Sequence, residues 1–291
     1  MNVHLIDGTY ELFRHYFGTP SRKDAQGNEV GALTGVLRTV LGMLRHGCDH
    51  IGVATDHVVE SFRNDLWPGY KTGEGIEPEL FEQFHPLENA LWAMGVKVWP
   101  MMELEADDGL ASAAVKAAAD RRVEQVILCT PDKDLGQCVR ENRIVQFDRR
   151  ANAIRDAAGV HEKFGVWPES IPDYLALVGD SADGFPGLQG WGAKSAAVVL
   201  DAYGHIDAVP NDPRRWSVKV RGARRLAETL AQNRDLAERF LVLATLRTDA
   251  EVFDDVEELR WQGPRAGFEE LAEQLADPAL GRLAAGEAAG R

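Results

Sequence analysis

Apolar and polar positions follow two regimes along the chain. In the first half, short apolar runs alternate with longer amphipathic stretches. Val3–Ile6 is apolar apart from His4 and ends at Asp7-Gly8. Ile51–Ala54 ends at Asp56, Val96–Trp99 leads to an acidic segment, and Val126–Cys129 is followed by Thr130-Pro131-Asp132. Ile144–Phe147 is a further run of the same kind. Runs this short and this rich in β-branched residues predict buried strands. Between them, residues 31–45 place Leu33, Val36, Leu37, Val40, Leu41 and Leu44 at helical spacing. Residues 77–94 open with Glu77-Pro78 and predict a helix, as does the alanine-rich stretch Glu105–Ala119. Strands alternating with helices predict an α/β fold with a mostly parallel sheet flanked by helices.

The second half changes character. From Pro168 onward the pattern predicts helices and glycine turns. Residues 171–178 predict a helix that stops at Gly179. A glycine-rich turn, GFPGLQGWGAKSA, leads into the apolar helix Ala196–Leu200. Residues 214–225 are locally basic and 223–246 are helical. The last thirty or so residues are rich in Ala, Gly and Glu, and the final ten are expected to fray.

Composition narrows the class. With 291 residues, 45% hydrophobic, the chain can bury two units or one large one. Its 27% charged and 8% aromatic residues suit a folded globular protein. No apolar run approaches the roughly 20 residues that span a bilayer. The N-terminus meets Asp7 without a basic stretch or a long apolar core, so it is not read as a signal peptide, and a cytoplasmic protein is expected. Cys48, Cys129 and Cys138 form no C-x-x-C pair and are expected to be free thiols. The net charge of −14 counts against a polyanionic partner, unless the acids gather at a metal site and basic groups gather elsewhere.

The acids do recur at telling places. Asp7, Asp56 and Asp132 each follow an apolar strand, and Glu105, Asp107 and Asp108 begin the next helix. In open parallel sheets that edge is where ligands bind. With Asp134, Asp180 and Asp183 they make a set of carboxylates that includes E-x-D-D, D-x-D and D-x-x-D pairs. Crowded carboxylates raise one another's pKa or require cations. Oxygen ligands without Cys or His favour Mg²⁺ or Mn²⁺. Two such ions about 4 Å apart would serve in-line displacement at phosphorus, one activating water and one stabilising the leaving oxygen. The plainer alternatives are helix caps for Asp107 and Asp108 and turn residues for the others.

Cations lie between the acids. Ser61-Phe62-Arg63 and Gly69-Tyr70-Lys71 follow Asp56. An arginine and a lysine over a metal site neutralise a scissile phosphate, and Tyr70 is a candidate for stacking a base. The turn carrying Gly187, Gly190, Trp191, Gly192, Lys194 and Ser195 would let backbone amides approach a phosphate closely, without reading sequence. A plain helix–turn–helix connection is the alternative.

These motifs resemble the 5′→3′ exonuclease and flap endonuclease family, in particular the 5′-nuclease domain of bacterial DNA polymerase I. The residues that carry the resemblance are L-I-D-G near the start, S-F-R then Y-K-T, E-A-D-D, T-P-D-K-D-L-G-Q, and G-D-S-A-D-G-F-P-G followed by G-x-G-A-K-S-A. Leu243–Asp249 resembles the family's closing motif. The resemblance implies a PIN-like core over residues 1–165, with an arch at about 64–85 through which a single strand passes. It implies a helix-three-turn-helix DNA-binding subdomain over 166–250 and a C-terminal extension over 251–291. By position, Asp7, Asp56, Glu105, Asp107 and Asp108 match acids nearer a first metal, and Asp132, Asp134, Asp180 and Asp183 those nearer a second. Lys71 and Arg63 match the basic residues on the reacting phosphate, Tyr70 the neighbouring ring, and Arg14 a basic residue of the first helix. The glycine turn matches the loop that grips the duplex, where a potassium ion binds backbone carbonyls. Arg221, in the basic stretch, is counted with that DNA grip. No polymerase segment follows in the sequence, so a stand-alone, monomeric nuclease is expected, with a 5′ single-stranded end or flap of DNA as substrate and a DNA polymerase as a candidate partner. Thr55, Pro131, Gly136 and Trp191 depart from the family's usual residues without removing a carboxylate. A non-catalytic binder of branched DNA is the alternative, and a phosphatase using Asp7 is a third reading.

Overall fold

A computed structural model of the chain describes residues 1–290. In chain order the strands are β1 (Asn2–Asp7), β2 (His50–Asp56), β3 (Lys97–Met101), β4 (Gln125–Cys129), β5 (Ile144–Asp148) and β6 (Ala153–Arg155). The helices of the first half are α1 (Gly8–Gly18), α2 (Gly31–Arg45), α3 (Phe62–Leu66), α4 (Pro78–Phe81), α5 (Phe84–Ala93) and α6 (Ala106–Ala119). Those of the second are α7 (Ala157–Phe164), α8 (Ile171–Val178), α9 (Ala193–Tyr203), α10 (Ala223–Gln232), α11 (Arg234–Ala244), α12 (Phe268–Gln274) and α13 (Pro278–Gly290). The chain forms two compact units, each assembled from separated segments: residues 1–59, 73–130 and 248–291 make the first, and 60–72 with 131–247 make the second.

The first unit is built on a parallel sheet in the order β3-β2-β1-β4. Val3 pairs with His50 and Asp7 with Ala54, while Ile6 pairs with Cys129. Every residue of β2 from His50 to Thr55 is buried. A parallel strand covered on both faces needs apolar residues at successive positions, which is why these strands appear in the sequence as short unbroken runs. On α2, Leu33, Val36, Leu37, Val40, Leu41 and Leu44 are all buried, as their spacing requires. The predicted helix over 77–94 is broken into α4 and α5 at Glu82–Gln83. There Pro86 has no N–H to give the Glu82 carbonyl, and the Gln83 amide donates to the Glu79 carbonyl, a local competitor of helix continuation, while accepting from the Leu33 N–H of α2.

Of the final ten residues, those up to Gly290 continue the helix α13, and Arg291 lies outside the described residues. Residues 248–290 belong to the first unit, where Trp261 donates from Nε1 to the Met94 carbonyl. Buried Asp277 accepts two hydrogen bonds from Arg38, at 2.6 and 2.7 Å, and Leu280 and Ala284 of α13 are buried. These contacts order a sequence whose composition alone favours disorder.

The second unit carries the antiparallel pair β5–β6 and the helices α3 and α7 to α11. Its core joins Leu175 and Leu177 of α8, Val199 and Leu200 of α9, Leu226 of α10 and Phe240 of α11, with Phe185 and Trp191 from the connecting turn. The helix predicted over 223–246 divides at Asn233, whose backbone leaves helical geometry and whose side-chain amide donates to the Thr229 carbonyl. All three cysteines are free.

Candidate metal and nucleic-acid site

In the first unit the expected acids stand at the carboxyl ends of the strands. Asp7 ends β1 and caps α1, its Oδ1 accepting from the Tyr10 N–H at 2.8 Å and its Oδ2 from the Thr130 hydroxyl at 3.2 Å. Asp56 ends β2. It accepts from the Ala106 N–H, in the first turn of α6, at 2.8 Å, and its own N–H donates to the Thr9 hydroxyl. At the start of α6 the Asp108 carboxylate accepts from the Glu105 N–H at 3.0 Å, and the Asp108 N–H donates to the Glu105 carbonyl. Asp107 lies half-exposed in the same turn. These carboxylates complete helix N-termini, where the partial positive charge of unpaired N–H groups favours the ionised form. Arg14, on α1, is tied to buried Glu11 at 2.5 Å.

The second unit treats its acids differently. Asp134, Asp180 and Asp183 are buried, and each offers an oxygen within 4.8 Å of the others. Among the described residues no comparable cluster forms in the first unit. Asp134 opens a one-turn 3₁₀ helix over Asp134–Cys138, and its N–H donates to Asp132 Oδ1 at 2.8 Å. Asp180 and Asp183 sit on a tight loop closed by Asp180 and Phe185, which exchange backbone hydrogen bonds at 2.8 and 3.0 Å. The loop depends on glycine at both ends. Gly179 and Gly187 have φ of +87° and +68° and press on each other, so that a Cβ on Gly187 would lie 2.4 Å from the Gly179 nitrogen. Phe185, between the acids and the second glycine, stacks on Phe240 with ring centroids 5.5 Å apart and anchors the loop in the core.

Asp134 bears the electrostatic cost of this arrangement. Its Oδ1 is buried and accepts no hydrogen bond. Burial first, then the charges of Asp132 and Asp183, push its pKa well above the usual carboxylate value. Two lysines answer the cluster. Lys71 Nζ lies 3.0 Å from Asp183 Oδ1, and Lys133 Nζ lies 2.5 Å from Asp180 Oδ2 and 3.8 Å from Asp134 Oδ1. Burial disfavours the Lys133 charge, yet Asp134, Asp180 and Asp132 outweigh it and hold the ammonium above its ordinary pKa. The donor set is all oxygen and anionic, with one acceptor unused, which fits a hard divalent cation such as Mg²⁺ or Mn²⁺.

Three expected site residues are placed otherwise. Arg63 is 1% exposed and donates to the backbone carbonyls of Leu243 and Thr245, at 2.8 and 3.2 Å, so it braces α11 rather than reaching into solvent for a phosphate. Tyr70 is buried in the helical core, and its ring presents no open face to a base. Trp191 is buried against Trp216, ring centroids 6.2 Å apart, so it supports the glycine turn from beneath. The rest of the turn is accessible: Gly190, Gly192 and Lys194 are exposed, Ser195 is half-buried and bonds its hydroxyl to Gly192 at the start of α9, and Gly187 is buried. Arg221 is exposed. The segment 64–85 holds the end of α3 and all of α4, and the two units share it at residue 72.

A carboxylate-edged parallel sheet in one unit, and a helical unit with a glycine turn and a buried acid cluster, make up the fold of the 5′-nucleases. The 5′-exonuclease of bacteriophage T5, solved with zinc bound, matches with a TM-score of 0.67 over 99% of this chain and 98% of that one, at 17% identity. The flap endonuclease-1 of Methanococcus jannaschii matches with a TM-score of 0.61 over 99% and 93%, at 14% identity. The chain belongs to the 5′-3′ exonuclease family: its N-terminal resolvase-like domain matches residues 2–165 and its C-terminal SAM fold matches residues 166–267. The 5′-3′ exonuclease of Buchnera aphidicola subsp. Schizaphis graminum is 30% identical over 259 residues, covering 88% of this chain and 89% of that protein. The DNA polymerase I of Pseudomonas aeruginosa is 34% identical over 266 residues, but the match spans only 28% of its length. Among the described residues no helix is long and apolar enough to cross a membrane.

Proposed function

We propose that this chain hydrolyses DNA phosphodiesters at 5′ ends or 5′-flap junctions with the help of two divalent ions, Mg²⁺ or Mn²⁺. The observation that carries the reading is the trio Asp134, Asp180 and Asp183, buried together with Asp134 Oδ1 left without a donor, in a chain of the 5′-3′ exonuclease family. Asp132, Asp134, Asp180 and Asp183 would hold one ion, and Asp7, Asp56, Glu105, Asp107 and Asp108 the other. A divalent ion there supplies Lewis acidity, activating water and offsetting phosphate charge.

The chain's own groups then have distinct tasks. Lys71, half-buried with its ammonium on Asp183, holds a positive charge at the cluster, where a phosphate oxygen needs neutralising. Arg14 offers a second cation from α1, with its side chain 32% exposed. Lys194, Ser195 and the exposed amides of the glycine turn suit the sugar-phosphate backbone, with Arg221 adding charge. The potassium ion at that turn rests on the family resemblance alone. The polymerase-named relative supports a DNA polymerase as partner, and a cytoplasmic, monomeric enzyme agrees with that work.

The test is a 5′-flap DNA labelled at either end and incubated with Mg²⁺, Mn²⁺ or EDTA. Metal-dependent cutting is expected, and product lengths separate junction incision from stepwise removal. A flap that is bound but stays intact under every metal overturns the reading in favour of a non-catalytic junction binder.

A further inference from the structure

Lys133 lies inside the acid cluster, flanked in sequence by Asp132 and Asp134 and paired in space with Asp180. Its Nζ is 2.5 Å from Asp180 Oδ2 and 3.8 Å from Asp134 Oδ1, and its side chain is 34% exposed. It therefore touches two of the three buried carboxylates while keeping a route to water. Gln137 holds the backbone beneath it, donating from Nε2 to the carbonyls of Asp134 and Ala244 and accepting from the Leu246 N–H. Ionised, Asp132, Asp134, Asp180 and Asp183 carry four negative charges, and Lys71 and Lys133 carry two positive ones. The two lysines therefore leave the cluster with a net negative charge that attracts a further cation.

We infer that Lys133 is the resident counter-cation of this cluster: its ammonium holds the carboxylates assembled, and it yields its place when a divalent ion enters. The inference rests on the metal-binding reading given above. It follows from the cost of burying like charges. Without a cation between them, carboxylates this close repel one another, and no opposite charge holds the loop that carries Asp180 against Asp134. With an ammonium already on Asp180, a divalent ion must displace or repel it, so Lys133 lowers metal affinity in exchange for a site that is formed beforehand. A short flexible ammonium suits exchange better than a bidentate guanidinium, which would grip the carboxylates in a fixed geometry.

The test uses the full chain and two readouts that need no substrate. Calorimetric titration with Mn²⁺ isolates the binding step that Asp134→Asn removes. For that step Lys133→Met, of similar length but uncharged, is expected to bind Mn²⁺ about tenfold more tightly than the wild type. Thermal melting in EDTA is expected to show Lys133→Met less stable than the wild type, with the gap closing in saturating Mn²⁺. Lys133→Gln supplies a second neutral variant should the first fail to fold. Unchanged or weaker Mn²⁺ binding in the neutral variants, or a melting deficit equal in EDTA and Mn²⁺, overturns the inference and leaves Lys133 as a structural ion pair. A wild type with no Mn²⁺ step that Asp134→Asn removes overturns the metal reading itself, and this inference with it.

Discussion

The acids of the two units are the same residue types handled in opposite ways. In the first unit Asp7, Asp56 and Asp108 spend oxygens on backbone N–H groups at the starts of α1 and α6. Each carboxylate is stabilised by the helix start that it helps to stabilise. In the second unit Asp134, Asp180 and Asp183 crowd together, and the nearest positive charges are lysine side chains. In the first arrangement Asp7, Asp56 and Asp108 each have a backbone donor before any ion is counted. The second is incomplete, since Asp134 has a buried oxygen with no donor. A carboxylate in a motif thus says little until its donors are counted: the first set contributes to stability on its own, and the second gains from a cation.

The sharpest way to break this contrast is Asp134→Asn. It should cut turnover on a 5′ flap by at least about a hundredfold, with flap affinity on a gel little changed. It should also raise the melting temperature in EDTA, because it removes a buried charge. The sign follows from the raised pKa of Asp134: the stability of its protonated form is full below the ordinary value of 3.8 and is lost as pH rises through the higher folded-state value. A lower melting temperature for Asp134→Asn in EDTA would contradict the strain assigned to this cluster.

Next in size is Arg63→Met, which probes a cation that the structure withholds from the acids. Leaving the carbonyls of Leu243 and Thr245 without their donor should cost about 3 kcal/mol in urea unfolding. Near-wild-type stability together with a large loss of turnover would instead return Arg63 to the reacting phosphate.

Asp108→Ala tests the first unit. Leaving the Glu105 N–H without the Asp108 carboxylate should cost about 1 kcal/mol. Unlike Asp134→Asn, it should lower the melting temperature in EDTA. A rise would mean that these acids are strained as well.

The smallest expected effect lies in the second unit, away from the acids. The Asp173 carboxylate, hydrogen-bonded at 2.9 Å, raises the His205 pKa above 6.5. That contribution is present below about pH 6.5 and is lost as pH rises through the folded-state value. The imidazole is half-exposed, so the pair is worth well under 1 kcal/mol. His205→Gln should flatten the difference in melting temperature between pH 6 and pH 8, and an unchanged difference would dismiss the pair.

Much of this was legible in the sequence, for identifiable reasons. The parallel strands announced themselves because strands covered on both faces need unbroken apolar runs, and the acids at their ends fell where such sheets present their ligands. Strand β6 escaped because its residues are mostly exposed and show no apolar run. The break near Gln83 coincides with Pro86, which has no N–H to give the Glu82 carbonyl, whereas the break at Asn233 escaped because a side-chain amide marks it, with no glycine or proline nearby. The burial of Arg63 and Tyr70 was not legible, because a local motif such as S-F-R or Y-K-T does not reveal which distant backbone or core will close over it. Lys133 stood in the open within T-P-D-K-D-L-G-Q. The signal that would have singled it out is a lone cation between two carboxylates, Asp132 and Asp134, the second of them buried.

The burial of Arg63 also bears on how the protein comes into being. Its carbonyl partner on Leu243 lies 180 residues further along the chain. At a synthesis rate of about 5–20 residues per second, the arginine emerges roughly 10–35 s before the residues that will enclose it. Residues 60–72 must wait for 131–247, and the sheet's own unit waits for the residues from 248 onward. Both units are therefore finished late, so a nascent chain stalled midway has neither its acid cluster nor a closed core. If the proposed nuclease reading holds, a chain that stops midway lacks Asp180 and Asp183 and with them the cluster that would hold the ion.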